Sequence, residues 1–218
     1  MAIKAVIFDL DGTLLDTITD ITNSMNIALD ELSLPNFSED EYKYLVGSGL
    51  DRLVDGVLPK NICNQETIDK FVVSFRKSYA KKWREHSVPF DGIIELLGYL
   101  KEKGVKLAVL SNKPHLSTSE MVKELLPGCF EMVCGERTHE GFPKKPDPTV
   151  AFYIATAMGV KPEEVLFVGD SDVDMQAAVN AGMIAVGALW GFRTKEELLK
   201  NGATHLVSCP EDIKLLLR

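Results

Sequence analysis

Short apolar runs alternate with helical patterns along most of this chain. Five apolar runs lie between turn residues, which is typical of strands buried on both faces of a sheet. The predicted strands cover residues 6–8, 105–110, 130–134, 165–168 and 184–187, with a further edge strand at 205–207. Alternating strands and helices predict an α/β fold with a doubly wound parallel sheet and right-handed crossovers.

One stretch breaks this alternation. Between residues 16 and 87, apolar residues recur at three- and four-residue steps, which predicts several helices and no strand. A single crossover is normally much shorter. We therefore predict a small all-helical domain, residues 16–87, inserted into a Rossmann-like core of residues 1–15 and 88–218. This domain would lie above the carboxyl edge of the sheet and act as a lid.

Local signals indicate where helices begin. Three Ser/Thr–Glu pairs have the spacing of a capping box, namely Ser38–Glu41, Ser117–Glu120 and Thr194–Glu197. Leu116 is expected to pack on Met121 as a hydrophobic staple beside the second pair. Asp147 is expected to cap another helix, with Pro148 at its first position.

Composition and charge restrict the class of protein. The 218 residues are 45% hydrophobic and 26% charged, as in ordinary soluble globular proteins. A net charge of -8 argues against binding to nucleic acid or to an anionic membrane, because both would be repelled. It leaves room for a small phosphorylated substrate, since a local cation can reverse the field at one site. No apolar run approaches membrane-spanning length.

The cysteines and the N-terminal run bear on location. Four cysteines (Cys63, Cys129, Cys134 and Cys209) lack zinc-type spacing and are expected to be free thiols in a reducing compartment. The N-terminal apolar run is interrupted by Asp9 and is too short for a signal peptide. We therefore expect a cytoplasmic protein.

Candidate chemistry begins where the first strand ends. Asp9 and Asp11 follow the run at residues 6–8, and Gly12 allows the chain to turn away. Side chains two positions apart on a strand face the same side, so both carboxylates can address one small volume. Two ionised carboxylates at such a short distance repel each other, which costs free energy unless a cation lies between them.

Other predicted strand ends bring complementary groups to the same edge. They are Ser111 and Asn112 after the second strand, Lys144 and Lys145 after the third, and Asp170, Asp172 and Asp174 after the fourth. Each residue alone could be a turn, cap or solvated residue, but their common placement favours a site. Carboxylate ligands without a His or Cys pair suit Mg²⁺, and the lysine, serine and amide groups suit phosphate oxygens.

Four motifs in this order resemble the haloacid dehalogenase-like (HAD) superfamily. They are D-L-D-G-T at residues 9–13, L-S-N at 110–112, K-P-D-P at 145–148 and G-D-S-D-V-D at 169–174. The resemblance covers essentially the whole chain, and the helical insertion resembles the family's α-helical cap. Within the superfamily, the chain resembles the phosphoglycolate phosphatases and their relatives.

The resemblance implies roles for the acidic residues. Asp9 would be the nucleophile that forms an aspartyl-phosphate, and Asp11 would be the general acid and base. The Asp9 carboxylate, the Asp11 backbone carbonyl and the Asp170 carboxylate would hold Mg²⁺. Asp174 would lie beside the metal or orient the lysine, although Asp172 could compete with it.

The resemblance also implies phosphate ligands. Ser111, with Asn112 beside it, would bind phosphate oxygens, and Lys145 would neutralise both the phosphate and the nucleophile. The K-P-D-P match selects Lys145 over its neighbour Lys144.

The implied reaction is Mg²⁺-dependent hydrolysis of a small phosphomonoester such as 2-phosphoglycolate. Asp11 argues against C–Cl or C–P cleavage, because dehalogenases and phosphonate hydrolases of the superfamily lack an aspartate there. A pyrophosphatase or a sugar-phosphate mutase on the same core stays open. A receiver-like regulatory module fits poorly, because a receiver places its phosphorylated aspartate at the end of the third strand.

Substrate choice is expected to depend on the cap. The loop at residues 46–50 has glycines at Gly47 and Gly49, which permit close approach of the backbone to a small substrate. Arg52 is a candidate partner for a substrate carboxylate or hydroxyl, with a solvated side chain as the equal alternative. His115 and Arg137 could also reach the cleft, although a surface position is favoured for each. The expected partner is a small phosphorylated metabolite, and the protein is expected to be a monomer or homodimer.

Overall fold

The computed structural model describes residues 2–217 and contains a six-stranded parallel sheet beside a two-stranded antiparallel one. The strands are β1 (Ala5–Phe8), β2 (Leu15–Asp16), β3 (Val88–Pro89), β4 (Lys106–Pro114), β5 (Met132–Glu136), β6 (Val165–Gly169), β7 (Ile184–Ala188) and β8 (His205–Val207). The large sheet has the order β5-β4-β1-β6-β7-β8. This is the α/β doubly wound architecture that the sequence predicts.

Strand β1 lies inside the sheet and explains why the first apolar run has no polar face. Each of its residues pairs in parallel register with β4 on one side and β6 on the other. All four are completely buried. The chain continues outward in both directions from β1, which makes the carboxyl end of β1 the switch point where such folds bind ligands.

The α-helices connect these strands or form the insertion. They are α1 (Ile18–Glu31), α2 (Glu39–Lys43), α3 (Leu50–Val57), α4 (Gln65–Lys82), α5 (Ile93–Glu102), α6 (His115–Leu125), α7 (Thr149–Ala157), α8 (Asp172–Asn180) and α9 (Lys195–Lys200). Short 3₁₀ helices occur at Thr138–Glu140, Pro162–Glu164 and Pro210–Leu217. None of the helices within residues 2–217 has the length and apolarity needed to cross a bilayer.

Helices α1–α4 follow one another between β2 and β3. These two short strands pair in antiparallel fashion, with Leu15 opposite Pro89 and Asp16 opposite Val88. The pair therefore closes the helical segment where the chain leaves the large sheet and returns to it. The boundary expected between residues 15 and 16 falls within β2, and the one expected between residues 87 and 88 lies at the start of β3. The division into two domains stays a prediction.

The core has two parts, one on each face of the sheet. Val6 and Phe8 pack into the larger part, whereas Ala5 and Ile7 pack into the other, as alternation along a strand requires. The larger part continues into the helical segment through residues such as Met25 and Phe71. Apolar packing thus joins the insertion to one face of the sheet.

Two of the three predicted capping boxes form their cap contacts, and one is wrong. The Glu41 and Glu197 backbone N–H groups donate to Ser38 Oγ and Thr194 Oγ1. Strand β4, however, runs four residues beyond its predicted end, so α6 begins directly after it and the Ser117–Glu120 box does not form. Leu116 is 82% exposed and is no staple for Met121.

Smaller shifts occur at other element ends. Helix α7 begins at Thr149, one residue later than expected, although Asp147 still accepts a hydrogen bond from the Thr149 backbone N–H at 2.8 Å. Strand β5 lies two residues further along the chain than predicted. The four cysteines are free thiols, of which Cys134 is buried and Cys209 is exposed.

Candidate active site

The polar side chains singled out in the sequence meet at the carboxyl edge of the large sheet. Asp9 follows β1 and its backbone N–H donates to the Val168 carbonyl of β6. Ser111 belongs to the last part of β4, and Asp170 follows β6. A cavity of about 750 Å³ opens here, lined from the sheet by residues such as Asp9 and Ser111 and from the helical segment by others such as Tyr79.

A buried cluster of charges lies at the base of this edge. Carboxylate oxygens of Asp9, Asp170 and Asp174 lie within 4.8 Å of one another. The Lys145 ammonium lies 2.7 Å from Asp9 Oδ1 and donates a hydrogen bond of 2.6 Å to Asp174 Oδ1. Three carboxylates therefore face one ammonium.

Neighbouring groups fix the two carboxylates that follow β6. Thr13 Oγ1 and the Phe192 backbone N–H donate to the two oxygens of Asp170, at 2.9 and 2.8 Å. Asp174 Oδ2 accepts hydrogen bonds from the backbone N–H and hydroxyl of Ser171. Asp170 also lies close to the turn after β1, where Gly12 has φ +85°. A Cβ at Gly12 would lie 2.4 Å from Asp170 Oδ2, so only glycine leaves room for this carboxylate.

The cluster changes the proton affinities of its members. Burial, and secondarily the charge of Asp174, holds the pKa of Asp9 well above its usual range, despite the opposing effect of Lys145. Burial and the Asp174 charge raise the pKa of Asp170 to about 7, against the hydrogen bonds from Phe192 and Thr13. Burial lowers the pKa of Lys145, but Asp174 and Asp9 outweigh it and the net shift is upward. The positive charge of Lys145 is therefore not enough to balance the three carboxylates.

The cluster fits a divalent cation. With all three carboxylates ionised and Lys145 protonated, an excess of two negative charges is left. Among the described residues, the buried Asp9 Oδ1 has no donor beside it other than the Lys145 ammonium at 2.7 Å. Carboxylate oxygens are the ligands that hard ions such as Mg²⁺ prefer.

Asp11 lies outside the cluster and has its own partners. Its Oδ1 accepts hydrogen bonds from Thr17 Oγ1 at 2.7 Å and from the Lys113 ammonium at 2.9 Å. Lys113 also donates to the Tyr79 hydroxyl of α4 at 2.8 Å and lies 4.5 Å from the centre of the Tyr79 ring. The Asp11 side chain is thus engaged on the cavity side of the site.

Burial and ion pairing act together in this trio. Burial raises the pKa of Tyr79 to about 12, so its hydroxyl is neutral at pH 7. Burial lowers the pKa of Lys113, but the charge of Asp11 and the contact with Tyr79 outweigh it and raise the pKa overall. Lys113 is therefore a fully charged ammonium beside Asp11.

The structure separates residues that the sequence left ambiguous. Lys145 lies in the cluster, whereas Lys144 pairs with Asp51 of α3. Asp174 is completely buried in the cluster, whereas Asp172 is half-buried at the start of α8, outside it.

Asn112 differs from its predicted role. Its side-chain amide donates to the backbone carbonyls of Gly47 and Lys145, and its Oδ1 accepts from the Lys145 backbone N–H. Both amide protons are therefore in use, and the side chain is not free to bind phosphate as expected. It instead fixes the Lys145 loop and the loop between α2 and α3. The Ser111 hydroxyl, which accepts a hydrogen bond from the Lys113 backbone N–H, lines the cavity.

The loop between α2 and α3 borders the cavity as predicted, but Arg52 does not. Gly47 and Gly49 line the cavity, both with positive φ. Helix α3 presents Leu50 and Leu53 to it, one helical turn apart, so the exposed Arg52 lies on a different face of the helix. The structure therefore does not bring Arg52 to the site.

Two residues for which a surface position was favoured over the cleft are half-buried at the cavity wall. They are His115, at the start of α6, and Arg137, after β5. The cause is the extension of β4 and β5 beyond their predicted ends, which carries both residues towards the cavity. Arg137 lies 3.6 Å from Glu140 and packs over the Phe142 ring.

Sequence reasoning missed two residues beside the site, Lys113 and Arg193. Lys113 stands directly after the predicted S-N motif, and a lysine at that strand end was the available signal. The role of Arg193 could not be predicted from sequence, because its partners are backbone carbonyls, which have no sequence signature. Its guanidinium donates to the carbonyls of Lys43, Tyr44 and Val46 and thereby joins the core to the loop that borders the cavity.

Known proteins share this arrangement of sequence and fold. The model of the haloacid dehalogenase-like hydrolase family matches residues 6–188. The phosphoglycolate phosphatase of Aquifex aeolicus is 35% identical over 190 residues, covering 87% of this chain and 86% of that protein. The phosphoglycolate phosphatase of Thiobacillus denitrificans is 36% identical over 197 residues, covering 88% and 86%.

A solved structure has the same fold as this chain. A crystal structure from Lactobacillus delbrueckii subsp. bulgaricus, provisionally described as a phosphoglycolate phosphatase, superposes with a TM-score of 0.92. It is 32% identical, and the match covers 100% of this chain and 99% of the other.

Proposed function

The chain belongs to the haloacid dehalogenase-like hydrolase family and is a phosphatase, and on this basis we propose that it hydrolyses a small phosphomonoester through an aspartyl-phosphate on Asp9. The observation that carries the proposal is the contact of Lys145 with Asp9 beside two further carboxylates. A carboxylate can attack a phosphate only where positive charge screens the two anions from each other. The relatives named above support 2-phosphoglycolate as the substrate.

In the proposed first step, an Asp9 oxygen attacks phosphorus and the ester P–O bond breaks. Asp11, which must be protonated when this step begins, gives its proton to the departing alcohol oxygen, and an acyl phosphate is left on Asp9. In the second step, Asp11 takes a proton from a water molecule whose oxygen attacks phosphorus. The bond between phosphorus and Asp9 then breaks, and inorganic phosphate leaves.

Further residues support both steps. Ser111 would donate a hydrogen bond to a phosphate oxygen. The positive charge of Lys145 would reduce the repulsion between the phosphate and the Asp9 carboxylate. Asp9, Asp170 and the Asp11 backbone carbonyl would hold Mg²⁺, which would neutralise phosphate oxygens when bound. Asp174 would orient Lys145, as its hydrogen bond to the ammonium indicates.

The test is phosphate release from a panel of phosphomonoesters, pyrophosphate and sugar phosphates, with Mg²⁺ or with a chelator. Wild type should release phosphate only with the metal, and Asp9→Asn should lose turnover while circular dichroism stays unchanged. Asp172→Asn is the matched control, since Asp172 lies outside the cluster, and it should keep most of the activity. Turnover by Asp9→Asn would contradict the mechanism, and isomerisation without phosphate release would indicate a mutase instead.

A further inference from the structure

The cation beside the general acid has no role in the chemistry proposed so far. Lys113 lies 2.9 Å from Asp11 Oδ1, lines the cavity, and has a side chain that is only 8% exposed. Its position is determined from two sides, by Asp11 of the core and by the hydroxyl and ring of Tyr79 from α4. The cavity therefore holds a fixed positive charge next to the place where the alcohol leaves.

We propose that Lys113 binds a carboxylate of the substrate and thereby selects phosphomonoesters of 2-hydroxy acids. The inference rests on the proposed function, since it assumes that Asp11 contacts the departing oxygen. In such an ester, one carbon separates the carboxyl group from that oxygen. A group held by Asp11 at the oxygen would thus have its carboxylate within reach of the ammonium 2.9 Å from Asp11.

A carboxylate matches this cation better than a second phosphate does. Lys113 is one ammonium, whereas a phosphate monoester carries close to two charges and is usually bound by several donors. A neutral sugar hydroxyl would offer the Lys113 ammonium no opposite charge. The salt bridge to a carboxylate would be strong here because the ammonium is largely removed from water.

Other cations at the cavity are less suited to this role. Arg137 pairs with Glu140 and packs over the Phe142 ring, whereas Lys113 contacts Asp11, the group proposed to meet the departing oxygen. Arg76 of α4 borders the cavity but is exposed to solvent, where an ion pair is weak. Arg52 does not line the cavity.

The experiment compares two substrates of similar size, 2-phosphoglycolate and 2-hydroxyethyl phosphate, which differ in the carboxylate. The measured quantity is the ratio of their kcat/KM values. Wild type should favour 2-phosphoglycolate, and Lys113→Met should lower the ratio by about tenfold or more, the usual effect of losing a charged hydrogen bond. Lys113→Arg keeps a cation and should keep most of the ratio. Lys123→Met, a matched change at an exposed lysine of α6, should not alter it.

Binding measured without turnover provides a second readout. In the Asp9→Asn background, calorimetry should show tighter binding of 2-phosphoglycolate than of 2-hydroxyethyl phosphate, and Lys113→Met should remove the difference. If Lys113→Met weakens both substrates equally, Lys113 acts only through Asp11 and the inference is overturned. Loss of the ratio in Arg76→Met instead would assign the carboxylate to Arg76.

Failure of the inference differs from failure of the proposed function. Equal hydrolysis of both substrates by wild type would leave the phosphatase intact and overturn the role of Lys113. Absence of phosphate release from every phosphomonoester tested would overturn the proposed function, and the calorimetric comparison would still decide whether Lys113 binds the carboxylate.

Discussion

The Lys145 ammonium lies 2.7 Å from Asp9 Oδ1, although 136 residues of sequence separate the two, from position 9 to position 145. Both side chains are buried, and the same ammonium contacts Asp174. This geometry places the screening charge directly on the group that would attack phosphorus.

Replacement of Lys145 should therefore lower catalysis more than replacement of any other lysine at this edge. Lys145→Met should lower kcat/KM by about 100-fold or more, the typical loss when a preorganised electrostatic group is removed. Lys144→Met is the matched control, because Lys144 pairs with the exposed Asp51 and exposed ion pairs contribute little. Steady-state kinetics with 2-phosphoglycolate would measure both, and similar losses in the two variants would contradict the assignment.

The stability of the metal-free protein should depend on pH through Asp170. Its pKa is raised to about 7, whereas an unfolded aspartate titrates near ~4. Between these values the folded state binds a proton that the unfolded state has lost, so the free energy of unfolding falls as pH rises.

Urea unfolding in a chelator at pH 5.5 and pH 8 would measure this effect. Asp170→Asn has no charge to titrate at this position, so wild type should lose stability relative to the variant on going to pH 8. A constant difference between the two proteins across this range would show that Asp170 does not titrate there.

Arg193 should control how the loop between α2 and α3 closes the cavity. Its side chain is 4% exposed and donates to three backbone carbonyls of that segment. Arg193→Lys keeps the charge but loses the planar fork, so KM should rise by about tenfold, in line with one to two lost charged hydrogen bonds.

The control for this prediction is Arg84→Lys. Arg84 follows the end of α4, is 41% exposed and pairs with Glu120 and Glu124 of α6, so it also joins the insertion to the core. Because the pair is solvated, KM should change little. A larger KM change in Arg84→Lys than in Arg193→Lys would refute the role given to Arg193.

Asp20 should stabilise the return of the chain from α4 to β3. Its buried carboxylate accepts hydrogen bonds from both backbone and side-chain groups of His86 and Ser87. Burial alone raises the pKa of Asp20, but these hydrogen bonds outweigh it and lower the pKa overall. The carboxylate form is therefore stabilising above the ordinary pKa and loses this effect at more acidic pH.

Asp20→Asn should lower the free energy of unfolding at pH 7 by about 2 kcal/mol. The amide NH₂ of asparagine would lie against N–H and O–H donors that now donate to a carboxylate oxygen, so hydrogen bonds would be lost. Asp30→Asn, at an exposed position of the same helix, should change it by less than about 0.5 kcal/mol. Denaturant unfolding measures both, and equal effects would argue against a special role for Asp20.

The positions of Asp9, Asp11 and Asp170 could be predicted because they follow from the sheet. A short apolar run without a polar face, within a chain of alternating strands and helices, favours an internal parallel strand, and the next polar residues then lie at its carboxyl end. The choice between Lys144 and Lys145 needed the motif resemblance, because adjacent loop side chains have no fixed relation to the strand direction.

The fold class, the helical insertion, the acidic groups at the strand ends and the family could all be read from the order and spacing of the residues. Three contacts became visible only in the folded chain: the Asn112 side chain binds backbone, Arg52 lies away from the cavity, and Lys113 lies between Asp11 and Tyr79. Periodicity fixes which face of its own element a residue occupies. Contacts between the insertion and the sheet depend instead on how two surfaces that are distant in sequence pack together, which local spacing does not encode.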